Sequence, residues 1–288
     1  MPLRDILLAC CVPLLWGFGF ALAKPAIGHF PPLVLLTFCY LTMTVLMGWR
    51  QRNPRTPWWQ VLIIAALIGP VQGGLLFHGL QGLPASMAVL LVQMQVPMAL
   101  LVAWPILGER PRAAAVAGTA IALLGIVLIL GAPKEPPDMT SASLVLSSGL
   151  CWGFAQVLIR RWNRDTGPQM SARVACFAFP LGIAASFLVE HGQIEAIRSA
   201  ELAQWAAVLG VAIFGYVASY LIWYGLLTRQ RVDRVMPFVL LMPPITVAIS
   251  ILAYGEPFAW TTLAGGLVVL AGLALVVVRR SAPAVAAE

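Results

Sequence analysis

The sequence predicts an all-α integral membrane protein with ten transmembrane helices, arranged as two inverted five-helix repeats. Three observations support this fold class. Of the 288 residues, 60% are hydrophobic and only 10% are charged, whereas soluble domains contain about 45–50% and about 25%. Ten apolar stretches approach the roughly 20 residues that cross a bilayer as a helix. Finally, motifs of the first half of the chain recur in the second half.

The predicted spans follow one another with polar connections between them. They cover 6–23, 32–49, 60–80, 84–107, 113–131, 142–160, 170–189, 204–227, 234–254 and 259–278. A transmembrane barrel would instead show stretches of about ten alternating residues, and the sequence has none. The first stretch lacks a basic leader and a cleavage site of small residues, so it is interpreted as a retained helix and not as a signal peptide.

An internal repeat organises the chain. A shift of 147 positions pairs a proline, three glycines and a glutamate, namely Pro97 with Pro244, Gly108 with Gly255, Glu109 with Glu256, Gly118 with Gly265, and Gly125 with Gly272. The dipeptide Trp16-Gly17 returns as Trp152-Gly153 at a shift of 136, so 11 extra residues are expected in the polar segment 190–201. We therefore predict a first repeat at 1–132, a linker loop at 133–140, a second repeat at 141–280 and a cytoplasmic tail at 281–288.

Basic residues predict the orientation. With the N-terminus in the cytoplasm and ten alternating spans, fifteen arginines fall on the cytoplasmic side, and only Lys24, Lys134 and Arg198 fall on the other side. This is the positive-inside pattern. Both termini are thus predicted to be cytoplasmic, and because five is an odd number the two repeats insert in opposite directions. The net charge of +7 reflects topology, so no nucleic-acid partner is expected.

Polar and aromatic side chains inside the spans are the candidates for a substrate site. They are Trp16, His78, Gln93, Trp152, Gln156, Tyr216, Ser219, Tyr220 and Trp223. Lipid cannot satisfy the donors and acceptors of a glutamine amide, so such groups face either a cavity or another helix. Packing between helices is the alternative interpretation for every one of them.

Position within the helix separates some of these candidates. Gln93 lies on the same helical face as Pro97, whereas Gln95 points roughly 200° away from Gln93. We therefore assign Gln93 to the cavity and Gln95 to packing. His78 is the one ionisable side chain well inside a predicted span, and such groups usually face a cavity or a partner. We favour a neutral His78 that contacts substrate over a proton relay, with a hydrogen bond to a neighbouring helix as the alternative.

Prolines and glycines suggest where the helices bend and where they touch. Pro97, Pro243 and Pro244 lie at the middle of predicted spans, where a missing backbone hydrogen bond softens a helix; we assign them to gating. The glycines repeated in the fifth helix of each half permit close contact between helices, within one chain in preference to a dimer. The five cysteines and three histidines show no metal-ligand spacing, so no metal and no cofactor are expected.

The repeated motifs resemble those of EamA-type members of the drug/metabolite transporter superfamily. The residues that carry the resemblance are Trp16-Gly17, Trp152-Gly153, Pro97, Pro244, Gly108-Glu109-Arg110 and Gly255-Glu256-Pro257, and it covers the whole chain. Within the superfamily, the chain looks most like bacterial exporters of aromatic and other neutral amino acids. This resemblance implies a monomeric carrier in the bacterial inner membrane, with a central cavity lined by the first, third, fourth, sixth, eighth and ninth helices.

Three classes of function are compatible with a chain this apolar: a secondary carrier, a membrane-embedded enzyme and a receptor. An enzyme should place a nucleophile with a base, a metal set or a carboxylate pair in the spans, but the predicted spans hold one histidine and no Asp or Glu. A receptor would not need an inverted duplication, and no Walker motif is present to power primary transport. The prediction is a carrier that exports small metabolites by alternating access, driven by substrate gradients.

The substrate predicted for this carrier is a small molecule without net charge. A site of Gln, His, Ser, Trp and Tyr suits a neutral amino acid, whereas a lipophilic dication would require a carboxylate. Export of drugs or of other metabolites by the same kind of carrier is the alternative.

Overall fold

The computed structural model describes residues 1–22, 26, 28–51, 53–81, 83, 91–130, 138–245, 248, 252 and 260–278, and these ranges contain eleven helices. They are α1 (Leu3–Leu22), α2 (Pro32–Met47), α3 (Trp58–Ala66, Leu67–Val71 and Gln72–Gln81), α4 (Gln95–Leu107), α5 (Ala113–Leu130), α6 (Met139–Trp162), α7 (Gly167–Val189), α8 (Gln193–Ser199), α9 (Leu202–Gly210, Val211–Ala218 and Ser219–Arg229), α10 (Val232–Val235, followed by the 3-10 segment Met236–Leu241) and α11 (Trp260–Val278). The repeat residues Gly255 and Glu256, most of the predicted linker and the predicted tail lie outside the described residues.

Length and composition make the chain a multi-pass membrane protein. Within the described ranges, four apolar helices are long enough to cross a bilayer: Trp58–Leu76, Met139–Trp162, Gly167–Val189 and Leu202–Arg229. Four shorter apolar helices accompany them: Pro32–Met47, Leu91–Leu107, Ala113–Ile129 and Leu263–Val276. Each of these eight coincides with one of the predicted spans. The first predicted span is α1, which has Arg4 and Asp5 in its first turn.

Local signals in the sequence explain where several helices begin and end. Asp138 accepts a hydrogen bond from the backbone N–H of Ser141 (2.8 Å) and so begins α6. Thr166 and Gln169 form a reciprocal capping box at the start of α7. Gly108 ends α4 with φ of 68°, a left-handed conformation that glycine adopts without steric cost. The glycine of the repeated Gly-Glu pair is thus explained by helix termination.

Two helices contain a π-helical segment that the sequence analysis did not predict. In α3 the segment is Leu67–Val71 and contains Pro70, whereas in α9 the segment is Val211–Ala218 and contains no proline. A π turn inserts one extra residue, which rotates the side chains that follow and often occurs at functional sites. These two helices are the third of each half, so the irregularity occurs at corresponding places.

The region predicted as the ninth span is less regular than expected. A single α-helical turn, Val232–Val235, is followed by the 3-10 segment Met236–Leu241. All six residues of that segment are buried, so it runs through the interior of the bundle. A short helix that was not predicted, α8, lies in the polar segment where the 11 extra residues were expected.

The helices pack in pairs that follow the repeat. The second helices of the two halves, α2 and α7, pack against each other, as do the fifth helices, α5 and α11. The first helix of one half packs against the third helix of the other, giving the pairs α1–α9 and α3–α6. Every one of these contacts joins the two halves, so the halves are interleaved and are not separate bodies.

Backbone contact between glycines holds α5 against α11. A Cβ atom added to Gly125 would lie 2.7 Å from the carbonyl oxygen of Gly265, and Gly118 is in equally intimate contact with Gly272. Positions 118 and 125 therefore face 272 and 265 in antiparallel order. The glycine faces serve contact within one chain, as predicted.

Ion pairs join helix ends at one end of the bundle. Asp233, before the 3-10 segment, is 2% exposed and accepts from Arg112 (2.8 Å) and Arg231 (3.1 Å). Glu109 lies 3.5 Å from Arg160 at the end of α6 and accepts from a backbone N–H of the α9–α10 turn (3.1 Å). Glu109 therefore links three helix ends, in agreement with a structural role at the end of a span.

A second buried ion pair at this end ties two loops together. Arg173 donates to Asp165 (2.6 Å) and to the carbonyl oxygen of Thr56 (2.6 Å), and Asp165 also accepts from the backbone N–H of Arg55 (2.6 Å). Burial alone would raise the pKa of Asp165, but the hydrogen bonds from Arg55, Arg173 and Thr56 outweigh it and hold this pKa below the ordinary value. The ionised carboxylate consequently joins the α2–α3 loop to the α6–α7 loop.

The opposite end has few arginines and is held by a glutamate and a histidine. Glu190, just after α7, accepts from the backbone N–H of Leu33 (2.8 Å) and from the hydroxyl of Ser186 (2.8 Å). His29 lies 2.8 Å from the carbonyl oxygen of Ala196 in α8. The pair α2–α7 is thus fixed at both of its ends.

Candidate substrate-binding cavity

A cavity of about 170 Å³ lies at the centre of the bundle. It is lined by Trp16, Gly19, Leu35, Leu36, Cys39, Gln72, Gly73, Leu76, Val92, Gln95, Trp152, Val211, Gly215, Tyr216, Tyr220 and Met242. Among these described residues there is no Asp, Glu, Lys, Arg or His, so the lining carries no formal charge. An apolar protein cavity of roughly 150 Å³ holds one benzene molecule, so the space admits one aromatic ring.

Aromatic rings form one wall of the cavity. Four predicted site residues, Trp16, Trp152, Tyr216 and Tyr220, are in its lining. The rings of Trp16 and Trp152 are 6.3 Å apart in an edge-to-face arrangement, and the ring of Tyr220 is 6.0 Å from Trp16. Tyr216 follows at 5.6 Å from Tyr220. These separations lie in the range of favourable aromatic pairs, so the wall is preorganised to receive another ring.

Two glutamines supply amide groups to the lining, and neither was assigned to it from sequence. Gln72 comes directly after the π-helical segment of α3, and Gln95 is the first residue of α4. Each amide offers two N–H donors and one acceptor. Such groups can bind a carboxylate and an ammonium group without placing a charge in the bilayer.

Gln93 and Gln95 have exchanged the roles assigned to them from sequence. Gln93 is 2% exposed, lies outside the cavity lining and donates to the carbonyl oxygen of Val239 at 3.5 Å. The assignment rested on a regular helix through Pro97, but the helix is interrupted at Met94. The structure therefore places Gln95 and not Gln93 in the cavity lining, and contact of either glutamine with substrate stays a prediction.

Gln156 and Trp223 lie behind the aromatic wall and not in it. Both are fully buried at 0% exposure, and neither is part of the cavity lining. The indole N–H of Trp223 donates to the side-chain oxygen of Gln156 at 2.8 Å. The Trp223 ring lies 5.3 Å from Trp16 and is stacked 5.9 Å from Trp152. The structure thus places this pair next to the site without direct access to it.

Ser219 and His78 also lie outside the lining. The hydroxyl of Ser219 donates to the carbonyl oxygen of Gly215, four residues earlier in the same helix. His78 is exposed in the last turn of α3, and its Nδ1 lies 2.8 Å from the carbonyl oxygen of Gly74. The structure therefore does not place His78 in the cavity lining, and its contact with substrate stays a prediction.

The prolines assigned to gating coincide with irregular backbone. Pro97 follows the interruption at Met94, where the chain makes a 3-10 hydrogen bond from Met94 to Leu91 (3.1 Å). Pro243 and Pro244 follow the 3-10 segment of α10. None of the three prolines lines the cavity, although Met242, next to Pro243, does. Their assignment to gating stays a prediction.

Close contact between helix backbones and π-helical segments shape the cavity. The sequence predicted neither the backbone contact of α1 with α9 nor the π-helical segments. A Cβ added to Gly19 would lie 3.0 Å from Cα of Gly215, so α1 and α9 touch through their backbones at the cavity. Val211, Gly215 and Tyr216 belong to the π-helical segment of α9. Pro70 was a signal for the corresponding segment in α3, whereas α9 carries no comparable signal.

Interleaved helical halves around an uncharged cavity are typical of membrane transport proteins, and comparison with known proteins places the chain in this class. The model of the EamA-like transporter family matches residues 3–131 and again residues 139–278. The chain belongs to the EamA-like transporter family. It is therefore a transporter and not an enzyme, and the two matches indicate duplicated halves.

Individual relatives cover nearly the whole chain at low identity. A "Probable amino-acid metabolite efflux pump" of Salmonella typhimurium is 26% identical over 95% of this chain and 94% of its own length. A protein of the same name from Escherichia coli is 25% identical over the same shares. A "Probable terminal-alkyne amino-acid exporter" of Streptantibioticus cattleyicolor is 27% identical over 67% of this chain and 64% of its own length.

Solved structures share the fold, and one crystal structure is an example. It aligns with a TM-score of 0.80 and 21% sequence identity, covering 95% of this chain and 98% of that one.

Proposed function

We propose that this transporter is a secondary carrier that exports small neutral metabolites, above all neutral and aromatic amino acids, by alternating access through the central cavity. The observation that carries the proposal is the composition of the described lining, which combines four aromatic rings with two amides and no charged side chain. A zwitterion has no net charge to be balanced. A cation or anion would leave its charge uncompensated in a medium of low dielectric constant, which is costly.

The two kinds of lining residue suit the two parts of an amino acid. Gln72 and Gln95 can pair with the carboxylate and the ammonium group, because hydrogen bonds to charged groups are about twice as strong as those between neutral groups. Trp16, Trp152 and Tyr220 offer ring faces and edges to an apolar side chain. The printed names of the relatives from Salmonella and Escherichia, which mention efflux of amino-acid metabolites, agree with this choice.

Alternating access needs two halves that can exchange roles, and we propose the inverted repeat of ten spans as their basis. Between α5 and α11, Gly118 contacts Gly272, which is the repeat equivalent of Gly125, and Gly125 contacts Gly265, which is the repeat equivalent of Gly118. Such reciprocity is expected around a two-fold axis that lies in the membrane plane. Pro97 and Pro243-Pro244 are the proposed bending points, since each follows irregular backbone beside the cavity.

The proposed orientation places both termini in the cytoplasm of a bacterial cell, with the protein as a monomer in the inner membrane. Arginines of the described residues gather at the end of the bundle that holds Glu109, Asp165 and Asp233. That end agrees with the cytoplasmic side under the positive-inside pattern.

Counterflow in proteoliposomes tests the proposed function. Vesicles loaded with a high concentration of unlabelled substrate should accumulate labelled phenylalanine, tryptophan and leucine, but not arginine, glutamate or a lipophilic dication. Counterflow of the dication without counterflow of any neutral amino acid would contradict the proposal and favour drug export. An imposed proton gradient should leave the final level unchanged, because the described cavity lining holds no titratable carboxylate or histidine.

A further inference from the structure

We infer that Gln156 and Trp223 form a positioning pair, which holds the indole wall of the cavity in place and thereby sets the preference for substrates with aromatic side chains. This inference rests on the proposed function. Neither residue lines the cavity, yet Trp223 contacts both tryptophans that do. The pair would act on substrate through Trp16 and Trp152.

The geometry gives Trp223 a central place among the rings. Its ring lies 5.3 Å from Trp16 at an interplanar angle of 57°, and it is stacked on Trp152 at 5.9 Å and 28°. Trp16 belongs to α1, Trp152 to α6 and Trp223 to α9. Trp223 therefore contacts both lining rings and joins three helices, in addition to the direct contact of 6.3 Å between Trp16 and Trp152.

One hydrogen bond determines which way the Trp223 ring points. An indole has a single donor, its ring N–H, and in Trp223 that donor is bound to Gln156 at 2.8 Å. A ring turned over about its side-chain bond would leave this buried N–H without its partner, which is costly in an apolar interior. The hydrogen bond thus selects one ring orientation.

Of the two polar groups of the Gln156 amide, the oxygen binds Trp223, and within the described part of the chain the nitrogen does not contribute a hydrogen bond. Its side-chain nitrogen is buried, and among the described residues it has no hydrogen-bond partner. The acceptor oxygen, which binds Trp223, is therefore the one atom of this amide that is engaged. A side chain kept for generic packing between helices would not need this oxygen, so leucine or methionine would serve equally well.

A double-mutant cycle on transport selectivity tests the pair. Selectivity is the ratio of kcat/KM for phenylalanine to kcat/KM for leucine, measured by counterflow. Gln156→Met and Trp223→Phe should each lower this ratio by about two- to tenfold, the range that one hydrogen bond supports, and the double variant should be no worse than either single variant. Gln156→Glu keeps an acceptor oxygen at the same place, so its selectivity ratio should stay at the value of the unmodified protein, in contrast to Gln156→Met.

A matched control separates positioning from general damage to α6. Ser148 lies two turns earlier on the same helix, is 2% exposed, and its hydroxyl donates within the helix to Val145 at 2.9 Å. Ser148→Ala removes a buried hydrogen bond to the backbone in which none of the rings takes part, so its selectivity should equal that of the unmodified protein. An unchanged ratio in Gln156→Met, or an equal loss in Ser148→Ala, would overturn the inference.

A readout without transport keeps this test separate from the proposed function. Fixed, stacked indoles contribute to near-ultraviolet circular dichroism, so Gln156→Met should lose the same component that Trp223→Phe loses, whereas Ser148→Ala should retain it. If the unmodified protein moves no amino acid, the proposed function fails, and the spectra alone decide whether Gln156 positions Trp223. If Gln156→Met keeps the whole circular dichroism component that Trp223→Phe loses, then Gln156 does not position Trp223.

Discussion

Adding one methyl group at Gly265 should separate α5 from α11. A Cβ at this position would lie 2.6 Å from the carbonyl oxygen of Gly125 and 2.9 Å from the backbone nitrogen of Ile129. The Cγ1 atom of the Ile129 side chain, also at 2.6 Å, can turn aside, but these two backbone atoms cannot, so the helices must move apart by several tenths of an ångström. Overpacking of this kind costs about 1–3 kcal/mol.

The neighbouring glycine is the matched control. A Cβ at Gly266 would meet nothing within 4 Å, and alanine at either position gains the same helix propensity, about 1 kcal/mol. Gly265→Ala should therefore be less stable than Gly266→Ala by about 1–3 kcal/mol, which corresponds to roughly 2–12 °C in the midpoint of thermal unfolding for a domain of this size. Tryptophan fluorescence of the detergent-purified variants measures the midpoints. Equal midpoints would refute the backbone contact between the two helices.

Four further predictions follow from the site and its surroundings. Trp152→Phe should raise the apparent KM for phenylalanine, measured by counterflow, by about two- to tenfold. An unchanged KM would show that this ring is not part of the binding site. Gln95→Leu should raise that KM by about tenfold or more, whereas Gln93→Leu should lower the unfolding midpoint and leave KM unchanged; the reverse result would favour the original assignment of these two glutamines. Because the pKa of Asp165 is lower in the folded protein than its ordinary value of 3.8, the carboxylate stabilises the fold at any pH above 3.8, and this contribution is lost as the pH falls through the lower folded-state pKa. Asp165→Asn should therefore lower the free energy of unfolding by about 3–5 kcal/mol at neutral pH and make the unfolding midpoint less sensitive to acid. A periplasmic phosphatase fused after Pro137 should be active and one fused at the C-terminus silent, and activity at the C-terminus would exclude the proposed orientation.

Composition and periodicity could predict the helices because the bilayer imposes a length and a polarity on each span. The ends of α6 and α7 lie within a few residues of the predicted ends, since Asp138 and Thr166 are strong capping residues. The repeated glycines likewise anticipated that α5 and α11 make close helix contacts within one chain. These features depend on local chemistry or on residue identity, which a sequence shows directly.

Which side chains face the cavity was less predictable, because this depends on departures from the regular helix. The π-helical segment Val211–Ala218 has no proline, so nothing in the sequence marks it. The interruption at Met94 reversed the faces of Gln93 and Gln95. Aromatic residues tolerated these errors better than amides did, since a large ring such as Trp152 reaches the cavity from a wider range of helix rotations.

Burial alone also cannot separate a binding residue from a supporting one. Trp152 and Trp223 are both nearly or completely buried, at 5% and 0% exposure, and both appeared in the sequence as candidates on the same grounds. Only the three-dimensional arrangement shows that Trp152 borders the cavity whereas Trp223 lies behind it. The structure is therefore needed to distinguish a residue that borders the cavity from a residue that positions it.

An uncharged, aromatic and amide-lined cavity should select molecules without net charge, and two ligands that share one side chain but differ in charge test this selectivity. At about pH 6, well below the pKa of an α-amino group, phenylalanine is a zwitterion, whereas phenylalanine amide carries one positive charge on the same carbon skeleton. Competition of each compound with counterflow of labelled phenylalanine gives two inhibition constants. The account predicts that phenylalanine inhibits at least tenfold more tightly, a difference of about 1.4 kcal/mol. Equal or tighter inhibition by the amide would contradict it.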